Sequence, residues 1–66
     1  MLSEPMRNEI ALMFEVNKQR QIEILGNAPE SIKETYYDQL KVVWAWQERV
    51  MDEVDKHTHF EGMVQP

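Results

Sequence analysis

The chain has 66 residues, 42% of them apolar and 29% charged, with seven Lys or Arg against twelve Asp or Glu and a net charge of −5. That length is one small domain at most, and the composition is that of a folded chain rather than a disordered one. The acidic balance argues against direct binding to nucleic acid, whose affinity comes from cations on phosphates. The lack of cysteine excludes a disulfide framework or thiolate metal site within these residues.

Ser3 is placed to cap a first helix, with Glu4 and Pro5 in its opening turn, where a carboxylate meets the helix dipole and proline's missing N–H is harmless. The helical pattern predicts a helix over about 4–25, stopped by Gly26. Met6, Ile10, Met13, Asn17, Arg20 and Ile24 recur at steps of four and three, with Phe14 and Gln21 alongside. The centre of this helix, Asn17 to Gln21, is polar throughout. The apolar run Ile10 to Phe14 is far shorter than the roughly 20 residues of a membrane span. No charged-then-apolar leader opens the sequence, so no membrane role is expected and a cytoplasmic location is.

Asn27-Ala28-Pro29-Glu30 reads as the break. Proline biases the residue before it away from helical angles, and Asn27 with Glu30 fits a capping box for the next helix. The second helix is predicted over about 29–57, fraying near Lys56 to Thr58, with 59–66 as a tail beyond a hairpin domain of 1–58. Tyr36, Leu40, Val43, Gln47, Val50, Val54 and His57 keep alternating steps of four and three, and Tyr37, Trp44 and Met51 widen the stripe. No strand is predicted. A break this short makes the two helices antiparallel neighbours. Pairing outward from it sets Ile24 against Ile32 and Tyr36, Met13 against Val43, and Met6 against Val50.

The fold class expected is therefore all-α, an antiparallel helical hairpin. A lone hairpin leaves the far side of each stripe wet, and some apolar residues lie off the seam altogether. Leu12 and Val16 occupy another face of the first helix, and Trp46, with Val42 a turn earlier, lies roughly 110° from the centre of the second stripe. These four are candidate interface residues, because an off-seam tryptophan is the kind of anchor that interfaces use. A second chain, most simply another copy, completes a four-helix bundle with two-fold symmetry.

The acidic end of the second helix, Glu48, Asp52, Glu53 and Asp55, is the other candidate protein-binding element. Residues 29–66 carry four basic and eight acidic groups, against three and four in residues 1–28. At helical spacing Arg49 reaches Glu53 and Lys56 reaches Asp52, which also makes these groups an ordinary salt-bridged face. Asn17 and Gln47 lie on the seams, where a buried amide fixes register.

His57 and His59, with the carboxylates before them, are the only residues resembling metal ligands. Two residues apart on a helix they point about 200° from one another and do not share an ion, so no metal and no other cofactor is expected. There is no Gly-rich phosphate loop and no Glu-x-x-His pair, and Ser3 and Ser31 are explained by helix starts. No catalytic residue and no small-molecule substrate follow from such a set.

The expected role is a small acidic adaptor, chaperone-like or regulatory, that binds a helical protein partner or itself. The layout is similar to that of the small helical-hairpin chaperones of type III secretion, which hold a partner subunit soluble; the likeness is one of layout and not of motif. The alternative is an acidic inhibitor, for instance phage-encoded, that occupies the basic groove of a nucleic-acid enzyme.

Overall fold

The computed structural model describes residues 1–60, and the rest of the expected tail, 61–66, lies outside them. Two helices, α1 (Glu4–Asn27) and α2 (Glu30–Lys56), form an antiparallel hairpin 52 Å long and 18 by 16 Å across. The Ser3 hydroxyl accepts the Met6 N–H at 3.3 Å, so the first helix starts where its cap and Pro5 place it.

Gly26 does not stop α1. The helix runs through it to Asn27 and ends because Pro29 forces Ala28 out of helical angles, to φ −75° and ψ 150°. The expected capping box is absent. Asn27 turns back, its amide donating to the Glu23 carbonyl at 3.0 Å, and Glu30 instead accepts from Lys33 at 3.1 Å. Pro29 takes the cap position of α2, where its carbonyl receives the N–H groups of Ile32 and Lys33, both at 3.1 Å.

The open end carries a feature the pattern did not predict. Leu2–Ser3 (β1) and Thr58–His59 (β2) pair as two-residue parallel strands, Leu2 beside Thr58 and Ser3 beside His59, and the Leu2 N–H donates to the His57 carbonyl at 2.7 Å. Thr58 and His59 therefore neither fray nor trail away. The Thr58 hydroxyl holds the Val54 carbonyl, and Phe60 is carried back over the Arg7 guanidinium, 5.9 Å from ring centre to cation. Arg7 also donates to Asp55 at 2.7 Å, tying the first turns of α1 to the end of α2. That hydrogen bond raises the Arg7 pKa above its already high ordinary value.

The helices meet along a stripe different from the one expected on α1. Arg7, Ala11, Phe14, Lys18, Gln21 and Leu25 are its half-buried residues, opposite Lys33, Tyr36, Leu40, Trp44, Gln47, Met51 and Val54 of α2. This α1 stripe also steps by four and three, displaced by one residue from the predicted one. Met6 and Met13, expected to pair with Val50 and Val43, are instead exposed. The displacement has a chemical reason in the polar middle of α1. Trp44 presents an indole N–H to the seam, and Gln21 accepts it at 2.8 Å while the Lys18 ammonium lies 5.3 Å from the ring centre. Their aliphatic stems cover the ring as their polar ends find partners. Asn17 is exposed, and Gln47 half-buried. Leu40 alone among the described residues is buried, at 4% exposure.

Candidate protein-binding face

Burying the displaced stripe leaves the more apolar one outside. At about 100° per residue, Met6, Ile10, Met13, Asn17 and Ile24 lie roughly 50–110° to one side of the α1 seam. On α2, Ile32, Gln39, Val43, Trp46 and Val50 lie about as far from their own seam. Because the helices are antiparallel, both stripes turn toward the same side of the hairpin. The concavity near the turn bears this out, since Ile24 lines it together with Ile32, Tyr36 and Gln39. A second hollow at the open end is lined by Leu2, Val50, Val54 and His57 together with the charged Arg49 and Glu53, so the apolar surface gives way to charge there.

The ten helical residues of this face include no Asp or Glu, although the chain has twelve. Six of them are large apolar side chains left well exposed: Met6, Met13, Ile24, Ile32, Val43 and Trp46, from 37% for Val43 to 69% for Met13. Asn17 and Gln39 are the polar residues among the ten, and six exposed large apolar side chains on one side of so small a chain mark a candidate interaction surface. The opposite side has another character. Arg7, Glu15, Lys18, Glu48 and Asp52 surround Phe14, Trp44 and Met51 in a hollow of about 440 Å³. Tyr37 meets Trp44 edge-on, 6.3 Å between ring centres, and Lys41 sits over Tyr37.

The candidate interface residues read from the sequence fall into separate places. Trp46 stands on the apolar face and is 56% exposed, whereas Trp44, two residues before it, is turned to the other side. Val42 lies farther round the outer side of α2, and Leu12 and Val16 round the outer side of α1, all three exposed. Leu12 and Val16 share a shallow hollow with Met13 and Arg20, which joins them to the rim of the face. Met6, Met13, Ile24, Ile32 and Val43 were read as seam and belong to the open face. Their spacing was the available signal, but the same four-and-three step fits either of two adjacent stripes.

The acidic end is largely answered from within the chain. Asp55 is held by Arg7, and Glu53 accepts from Lys56 at 3.2 Å with His57 at 3.8 Å. The expected pairs Arg49–Glu53 and Lys56–Asp52 are not formed, since Lys56 takes the carboxylate one residue nearer, that of Glu53. Glu48 and Asp52 remain, both beside the hollow that Arg7 and Lys18 line. Among the described residues no three His, Asp or Glu side chains gather as metal ligands, and no helix is long and apolar enough to cross a membrane.

No protein-family model matches the chain, and comparison with curated proteins and with solved structures finds no match.

Proposed function

We propose that this chain is a non-enzymatic adaptor, chaperone-like or regulatory, that binds helical protein surfaces through its apolar face. The observation that carries the reading is the inversion on α1: Met6, Met13 and Ile24 stay outside while Arg7, Lys18 and Gln21 turn in. A hairpin serving only its own stability buries the methionines and isoleucine, because each large apolar side chain removed from water contributes about 1.5–3 kcal/mol. Leaving them on one charge-poor side suits a surface that is covered when the protein works. Helices laid into that surface complete a four-helix bundle, packed at the shallow angle usual for such bundles. We place the adaptor in the cytoplasm, since a cysteine-free chain suits a reducing compartment.

The acidic inhibitor is the second reading, and Glu48 and Asp52, which form no ion pair with Lys or Arg, favour it. It is weaker because Glu53 and Asp55, the other half of the acidic group, already have cations of their own.

Affinity capture from host extract separates the two. A partner held by apolar contact stays bound at high salt and is lost with Trp46→Lys. A basic partner is released by salt and by Glu48→Gln with Asp52→Asn, and ignores the Trp46 change. A chain that retains no specific protein under either condition is not an adaptor for another protein.

A further inference from the structure

We infer that the apolar face is covered by a second copy of this chain, two hairpins meeting face to face about a two-fold axis. The inference rests on the reading of that face as a binding surface and names its first occupant. Three observations point to self-association.

The first is shape. The face is a layer of two helices whose residues, exposed except for the half-buried Ile10 and Val50, step by four, three and seven on each helix, the spacing that interdigitates with another helical layer of the same kind. Its residues run from Met6 to Ile24 and from Ile32 to Val50, about 27 Å along each helix at 1.5 Å per residue, and a cover must match that length. A second hairpin is the right length by construction.

The second is area. The chain exposes 5557 Å². A compact monomer of its mass, 7.9 kDa, exposes about 4,400 Å². The excess follows from the elongated 52 by 18 by 16 Å shape, in which one broad side of the two-helix layer has room for the roughly 800 Å² that each partner buries in a stable interface of standard size.

The third is charge. Two copies of a chain at −5 repel one another by most approaches. On the apolar face the ten helical positions bear no carboxylate; Arg20 lies at its edge beside α1, and Arg49 and Glu53 line the hollow at its open end. This is the approach along which like copies meet without facing each other's acidic groups. A basic partner, by contrast, meets at the open end a Glu53 already paired with Lys56.

The chain carries its own reporters. Met6 and Met13 are on the face, while Met51 is half-buried in the intramolecular seam. Sedimentation of the full chain across the micromolar range should give twice the chain mass. Hydroxyl-radical footprinting over the same range should show oxidation of Met6 and Met13 slowing severalfold as concentration rises, with Met51 unchanged. Trp46→Lys and Met13→Lys each place a cation at a position exposed in the single hairpin. Each should weaken association at least tenfold while circular dichroism stays helical. If one variant does not fold, the other and the wild-type footprint still decide. A wild-type chain that remains monomeric at every concentration overturns the inference. So do a dimer in which Met6 and Met13 stay fully reactive, and assemblies that grow beyond two chains. Failure here leaves the adaptor reading standing if extract capture still depends on Trp46. Loss of that dependence, with a dimer present, removes the adaptor reading alone.

Discussion

Gln21 accepts the indole N–H of Trp44 at 2.8 Å across the hairpin, and this bond joins the polar middle of α1 to the aromatic centre of α2. It explains how a helix with five consecutive polar residues packs at all: the run is not solvated as a block, since Lys18 and Gln21 serve the tryptophan.

Replacing Gln21 with alanine should strand the half-buried Trp44 N–H. A loss of about 1 kcal/mol is expected from the missing bond, read as a lower melting temperature. A change in Trp44 emission should accompany it, measured in a Trp46→Phe background. Gln19→Ala is the control. Gln19 bonds only Glu15 on the exposed side of its own helix, and its loss should leave both signals unchanged.

This pair also marks the limit of what the sequence made legible. Both helices, the Ser3 cap, the Pro29 break and the divergence of Trp44 and Trp46 follow from local rules that each residue obeys with its neighbours. The choice between two adjacent stripes on α1 does not. It depends on whether Phe14, with Gln21 and Lys18 to answer Trp44, outweighs Met6 and Met13 as inward neighbours. That is a property of the facing helix, not of the spacing. The paired ends were illegible for a related reason, since two residues at each end carry no periodic signal and their ladder exists only because the hairpin brings them together.

Leu40 should be the most sensitive position in the hairpin. It is the one buried side chain among the described residues, and its truncation to alanine leaves a hole between the two helices. A cost of about 2–4 kcal/mol is expected in denaturant titration. Leu12→Ala, at a side chain 62% exposed, should change stability by less than about 0.5 kcal/mol in the monomer.

The clasp at the open end should be local in its effect. Asp55→Asn removes the charge that Arg7 meets, and Leu2→Pro removes the N–H that His57 receives. Both pairs lie at the periphery, where opening is governed by fraying rather than by global unfolding. Hydrogen exchange should therefore quicken at Thr58 and His59 in both variants, with little change near Leu40. A uniform rise along both helices would mean that the clasp holds the whole hairpin together.

Salt should act on association in a particular direction. The two copies bring like charge together while the contact itself is apolar, so screening relieves repulsion and leaves the attraction intact. The dimer should tighten or stay unchanged as sodium chloride is raised. A dimer held by the acidic end of α2 against basic groups would loosen instead, and sedimentation at low and high salt distinguishes the two.

The two tryptophans allow each side of the hairpin to be watched separately. Trp44 is packed against Lys18, Gln21 and Tyr37 in the single chain. Its environment is complete without a partner, so its emission should not depend on concentration. Trp46 is 56% exposed and has a large apolar area still in water. In a Trp44→Phe chain, Trp46 emission should move to the blue as concentration crosses the association midpoint, and iodide should quench it less. In a Trp46→Phe chain, the remaining signal should stay constant over the same range. Phenylalanine keeps part of the apolar contact at Trp46, so the second variant should still associate, at somewhat higher concentration. A blue shift of Trp44 with Trp46 unmoved would put the contact on the charged side of the hairpin. The face described here would then be the wrong one, whatever the stoichiometry.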